Sequence, residues 1–192
     1  AYAEIEPLLT MGTPKHTAVC ILADKEEIGS VGVSGMQSAY FEHFMGGLCD
    51  AQGVKLEDCF ANSFCLSADV SNAFDPNFPE VFERRNTAML NCGVAMSKYT
   101  GHGGKSGTND APAEFVAWIR KIMAEYGVIW QAGELGKGDQ GGGGTVAMYV
   151  ANLNIDTIDV GVPVLSMHAP YEMVAKTDVY AAYRAFAAFL ES

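Results

Sequence analysis

The sequence predicts an α/β layered domain with a largely parallel or mixed sheet. Strand-like and helix-like stretches alternate from end to end. Several apolar runs carry no charge along their length, as strands covered on both faces do. Three of them end in an acid or a histidine, and in open α/β sheets that carboxyl edge is where ligands and metals collect. With 192 residues, 49% of them hydrophobic and 18% charged, the chain is long enough for one domain with a real core.

The elements follow in order. Ala1 to Leu9 reads as the end of a helix, and Thr17 to Ala23, seven residues without charge, as a strand buried on both faces. That run stops in Asp24-Lys25-Glu26-Glu27. Neighbouring strand residues point to opposite faces, so Glu26 and Glu27 share a site only if the chain is already turning, as Gly29 and Gly32 allow. Ser34 is positioned to cap a helix running to about Asp50, with Met36, Tyr40, Phe44, Gly47 and Leu48 on its buried face. Phe60 to Ala68 reads as a second buried strand, delivering Asp69 at its exit. Asp75 to Glu80 is a loop by its prolines.

Gly93 to Tyr99 is expected to be a strand and Thr100 to Thr108 a loop. Asp110 and Pro112 open a helix with an apolar stripe of Phe115, Ile119, Ile122, Met123 and Tyr126. Val128 to Gln131 is a short strand. The segment Gly133 to Gly144 holds seven glycines, so its backbone passes close to something or adopts positive φ repeatedly. Thr145 to Leu153 reads as a short helix, and Thr157 to Val160 and Val162 to Met167 as strands, the last with His168 at its exit. A closing helix begins near Pro170 to Glu172 and carries Val179, Tyr183, Phe186 and Leu190 on one face.

Composition excludes some function classes. A formal charge of −11 argues against nucleic acid as the main partner, because phosphate binding needs Lys and Arg clusters. No apolar run approaches the roughly 20 residues of a membrane helix, and no signal peptide is seen. The five cysteines form no C-x-x-C pair and read as reduced core thiols, which predicts a cytoplasmic protein. Because the chain opens on Ala1 inside a helical segment, we expect it to be the downstream part of a longer product.

Glu26 and Glu27, Asp69 and His168 thus stand at three strand exits. Carboxylates with a neutral imidazole are the ligand types that bind zinc and similar divalent metals, and a carboxylate that is not a ligand serves as proton acceptor. Taken alone, His168 is more often a satisfied histidine than a ligand. Rival motifs carry less. Gly136-x-Gly138-x-x-Gly141 has the letters of a dinucleotide fingerprint, with Asp159 near the ribose-acid spacing, but several residues separate it from the strand and helix it should join. Gly104-Lys105-Ser106 resembles a P-loop ending, yet Tyr99 stands where its first glycine belongs. No G-x-S-x-G is present.

The combination is more specific. Asp24-Lys-Glu-Glu-Ile-Gly-Ser30, Ser67-Ala-Asp69 with Asp75-Pro-Asn-Phe-Pro79, Lys98-Tyr-Thr-Gly101, the loop Gly141 to Thr145, and Ser166-Met-His-Ala-Pro-Tyr-Glu172 come in one order over nearly the whole chain. Together they resemble the aspartyl aminopeptidase family of dinuclear zinc metallopeptidases, bacterial members most. The resemblance implies a three-layer sandwich with a mixed central sheet, peptide substrates, two zinc ions per complete site and a homo-oligomer. It implies Glu26 as general base, Glu27 and His168 as ligands of one metal, and Asp69 as a ligand of the other. The segment Gly142, Gly143, Gly144 and Thr145 matches one lining the substrate pocket. A lysine that in some relatives reads an acidic first residue aligns with Ser97, next to Lys98, which is carried as the substrate-binding position.

Family members also have an upstream histidine and a metal-bridging aspartate that falls a few residues before the point equivalent to Ala1, and a dimerisation domain that this chain does not contain. The chain is therefore expected to be the C-terminal part of a catalytic domain. Two alternatives stay open: a non-catalytic truncated or assembly fragment of that enzyme, and a deacylase on the same metal frame. His16, His43 and His102 match no ligand position and read as surface or loop residues.

Overall fold

A computed structural model describes residues 1–103 and 106–192; Gly104 and Lys105, part of the rejected P-loop reading, lie outside the described residues. The elements are α1 (Tyr2–Thr10), α2 (Tyr40–Gln52), α3 (Leu56–Ala61), β1 (Phe64–Ser67), β2 (Ser71–Asn72), β3 (Val94–Ser97), β4 (Tyr99–His102), β5 (Ser106–Asp110), α4 (Ala113–Glu125), β6 (Trp130–Ala132), α5 (Ala147–Ala151), β7 (Asp156–Gly161), β8 (Pro163–Leu165), β9 (Met173–Val174) and α6 (Lys176–Glu191). The central sheet has the order β1-β7-β3-β6. Strand β7 runs parallel to β1 and antiparallel to β3, and β6 runs parallel to β3, so the sheet is mixed as expected.

The register sorts the two faces of this sheet. Leu66 pairs with Ile158 and Met96 with Val160, and these side chains join Phe115, Ile119 and Met123 of α4 and Ala182, Ala185 and Phe186 of α6 in the larger core. The opposite face is smaller and more polar, with Ser67, Asp159 and Ser97 aligned across three neighbouring strands. Over that side packs a second cluster of Met36, Phe41, Phe60, Val150 and Ile155, with Cys65 against it. Helices therefore cover both faces, and the domain has three layers. A smaller sheet, β2-β8-β9, and the β4-β5 hairpin complete the strands.

Several elements depart from the expectation. Thr17–Ala23 forms no strand and lies at the surface, with Leu22 61% exposed. A strand needs a neighbouring edge to take its backbone hydrogen bonds, and the sheet is ordered without this segment. Ser34 caps nothing, because its hydroxyl donates to Asp24 Oδ2 at 2.9 Å; α2 begins six residues later and buries Phe41 and Cys49, leaving Tyr40 and Phe44 exposed. Phe60 belongs to α3. The expected loop after Tyr99 is a hairpin, β4 against β5.

Helix α6 starts at Lys176, and its buried face is Ala181, Ala182, Ala185, Phe186 and Ala188; of the expected stripe Phe186 is buried and Val179, Tyr183 and Leu190 are half-buried. Small residues allow close approach to α1 and β3. Asp178, fully buried in its first turn, accepts from Asn91 N at 2.6 Å and Gly93 N at 2.8 Å, which fixes the entry to β3. The stripe of α4 is as expected, with Phe115, Ile119, Ile122 and Met123 buried. No helix among the described residues is long and apolar enough to cross a membrane.

Candidate active site

Glu26 and Glu27 lie on one 3-10 turn, Glu26–Ile28, entered through Lys25 at φ 65° and left through Gly29 at φ 87°. Gly29 N donates to Glu26 O at 2.9 Å and Ser30 N to Lys25 O at 2.8 Å, so the chain turns at the two adjacent carboxylates. Ahead of the turn, the Lys25 ammonium and the Ser34 hydroxyl hold the exposed Asp24 carboxyl down to about 2. Asp69 leaves β1, and Val70 N donates to its Oδ1 at 2.7 Å. His168 follows β8 with φ 66°, and its N donates to Glu172 Oε1 at 2.6 Å. Lys25, Ser30, Ser166 and His168 all have positive φ, so backbone strain collects on the two segments that carry these groups.

The four predicted residues influence one another. His168 Nδ1 lies 3.7 Å from Glu27 Oε1. A direct charge-assisted hydrogen bond would be about 2.7–2.9 Å, whereas two donors bound at about 2.0–2.2 Å to one tetrahedral zinc stand roughly 3.4 Å apart. The separation thus suits a shared ion better than direct contact. Burial, then the charges of Asp69 and Glu27, push the Glu26 carboxyl up, while His168 draws it down. Burial also pushes Asp69 up, against the pull of the Val70 N–H, and Glu27 adds to the rise. Three acidic groups that crowd each other in this way favour a cation.

Among the described residues, no three of His, Cys, Asp and Glu come close enough to hold one ion, so Asp69 does not join Glu27 and His168 at ligand distance. The donor types and the Glu27–His168 spacing fit zinc. His16, His43 and His102 are exposed, as expected, and all five cysteines are free, with Cys92 exposed rather than in the core.

The glycine-rich segment lies backbone to backbone against the β4-β5 hairpin. Gly103 N donates to Gly141 O at 2.8 Å, and a Cβ on Gly142, whose φ is 98°, would stand 1.9 Å from Gly101 O. Only glycine permits that approach with that φ. Between hairpin and segment is a cavity of about 210 Å³ bordered by Tyr99, Leu135, Lys137 and Gly142. Gly142 and Gly144 are exposed and Gly143 half-buried, whereas Thr145 is buried and its hydroxyl donates to Asp159 Oδ2 at 3.0 Å. The Lys98 ammonium is paired with Asp110 across the base of the hairpin.

Asp159 is the group that sequence reasoning passed over, except as part of the rejected dinucleotide motif. It is only 5% exposed, and burial pushes its carboxyl up to about 7, with the Ser67 and Thr145 hydroxyls holding the rise back and Asp69 adding to it. Ser67 Oγ and Asp159 Oδ1 nevertheless fall short of hydrogen-bond geometry and have no partner among the described residues. The available signal was an acid within a run, Thr157 to Val160, otherwise fit for burial on both faces.

Known proteins resemble this chain over its full length. The family described as aminopeptidase I zinc metalloprotease (M18) matches residues 1–190. A protein of Clostridium acetobutylicum named probable M18 family aminopeptidase 1 is 48% identical over all of the chain and 42% of its own length. The crystal structure of aminopeptidase I from that organism superposes with a TM-score of 0.93 at 47% identity, covering 100% of this chain and 42% of that one. A Saccharomyces cerevisiae structure described as the mApe1 dodecamer is 28% identical, with a TM-score of 0.72 over 88% of this chain and 36% of its own. The chain thus spans less than half the length of the relatives it matches.

Proposed function

The chain belongs to the aminopeptidase I zinc metalloprotease family (M18), and from that premise we propose that it is the C-terminal part of the catalytic domain of a dinuclear zinc aminopeptidase. The complete enzyme, cytoplasmic and homo-oligomeric, removes N-terminal residues from peptides. The observation that carries this reading is the meeting of Glu27 and His168 at 3.7 Å, with Glu26 and Asp69 within electrostatic reach. The dodecameric yeast relative supports the oligomer. An upstream segment supplies a histidine and a bridging aspartate, and a dimerisation domain also lies outside this chain.

Glu27 and His168 would hold one zinc and Asp69 would contribute to the other. When bound, zinc supplies Lewis-acid polarisation of the scissile carbonyl. Glu26 is the proton carrier. It takes a proton from the attacking water as the new C–O bond forms, and passes it to the amine nitrogen as the C–N bond breaks. Burial of the half-buried Glu26 carboxyl pushes it up, toward the pH at which a base must also return the proton. The exposed backbone of Gly142 and Gly144 is the candidate surface for the substrate's main chain or its developing oxyanion. Lys98 is the candidate contact for the substrate's side chain.

A panel of peptides with free and acylated amino termini tests the substrate class on the full-length enzyme. Release of the first residue from the free peptides, with acylated ones inert, is the expected result. Preferential cleavage of the acyl group would replace this reading with the deacylase.

A further inference from the structure

Strand β7 holds more of the site than its sequence suggests. Asp159 sits in the middle strand of three, opposite Ser67 of β1 and Ser97 of β3. Ser67 lies two residues before Asp69, and Ser97 directly precedes Lys98. The third neighbour is Thr145, whose hydroxyl donates to Asp159 Oδ2 at 3.0 Å and accepts from Ala147 N at 3.3 Å. Thr145 is the last residue of the glycine-rich segment, so its side chain is the point at which a stretch of four glycines is anchored to the sheet.

Four consecutive glycines have no side chains of their own with which to fix a position, and they start from high backbone freedom. Their placement comes from backbone packing on the hairpin, as at Gly142 against Gly101 O, and from the two ends. At one end Gly141 O accepts from Gly103 N at 2.8 Å, and at the other Thr145 meets Asp159. We propose that Asp159 is a positioning residue that sets the substrate-facing segment Gly142–Gly144 in register with the strand exit carrying Asp69. This rests on the reading of both as parts of one aminopeptidase site.

Asp159 touches no substrate in this role and acts through Thr145. A purely structural acid, present only to tie down the start of α5, would affect unfolding and leave substrate affinity alone. The two differ in where the loss is read. A misplacement of about 1 Å in a group that orients substrate costs roughly 10- to 100-fold in catalytic efficiency.

The test compares three variants of the full-length enzyme: Asp159→Ala, Asp159→Asn and Thr145→Val. Asparagine keeps an oxygen that accepts from Thr145. The expected result is a rise in KM of about tenfold or more for Asp159→Ala and Thr145→Val, with zinc content unchanged and Asp159→Asn close to wild type. An unchanged KM in Thr145→Val, or a loss in Asp159→Asn as large as in Asp159→Ala, would overturn the proposal. Amide exchange across residues 141–145 reads the same anchor without any activity, so a failure of the aminopeptidase reading remains distinguishable. Faster exchange there in Thr145→Val supports the anchor, and unchanged exchange removes it.

Discussion

Replacing Glu26 by glutamine lowers turnover by about 10²- to 10⁴-fold, the range of a positioned general base, with zinc content and KM close to wild type. Glutamine has nearly the same shape and lacks the basic oxygen. Glu26 is the carboxylate of the turn that is not paired with His168, so its loss does not remove a donor from that pair. Steady-state kinetics with a free-amino peptide, alongside metal analysis, reads both quantities. Turnover within tenfold of wild type would remove Glu26 from the chemistry.

Gly161→Ala is expected to disrupt the site from beneath. A Cβ at Gly161 would stand 1.6 Å from Asp69 O and 2.7 Å from Asp69 C, and these are backbone atoms that no rotamer change can move aside. Either β7 or the chain at Asp69 must shift, in a layer whose packing leaves little room. We expect a stability loss of about 1–3 kcal/mol, as for overpacked cores, together with reduced zinc affinity because Asp69 is displaced. Gly143→Ala is the control. Its nearest neighbour would be Leu135 Cδ1 at 3.7 Å, an ordinary contact, and its melting temperature should stay near wild type. Thermal unfolding and zinc titration of the pair check the prediction. Equal stability in the two would show that the Asp69 carbonyl yields without cost.

The layering was legible because burial leaves a local trace. The stripe on α4 and the apolar runs that became β1, β3 and β7 could be read one segment at a time. The position of Glu27 and His168 after two further apolar runs, Thr17 to Ala23 and Val162 to Met167, was legible as well. Their distance was not, since it depends on how the turn at Glu26–Ile28 and the exit of β8 are set in space.

Pairing was the weakest point. Thr17–Ala23 has the composition of an inner strand, but pairing is a property of two segments, and the described chain gives this one no edge to join. The β4-β5 hairpin failed in the opposite way. Its glycines suggested a loop, whereas Gly101 is there because Thr108 Cβ would lie 2.8 Å from any Cβ it carried. Asp159 was obscured for a related reason. Its partners, Ser67, Ser97 and Thr145, are distant in sequence and meet it only through strand register and one hydroxyl.

The most direct measurement of the central claim is zinc bound per chain in the full-length enzyme after dialysis, compared among wild type, Glu26→Gln and His168→Ala. Glu27 and His168 are assigned to one ion and Glu26 to none. Glu26→Gln should therefore retain the wild-type zinc content, and His168→Ala should lose one ion while remaining folded by circular dichroism. A folded His168→Ala protein with undiminished zinc, or loss of zinc in Glu26→Gln, would contradict the assignment of His168 as ligand and Glu26 as base.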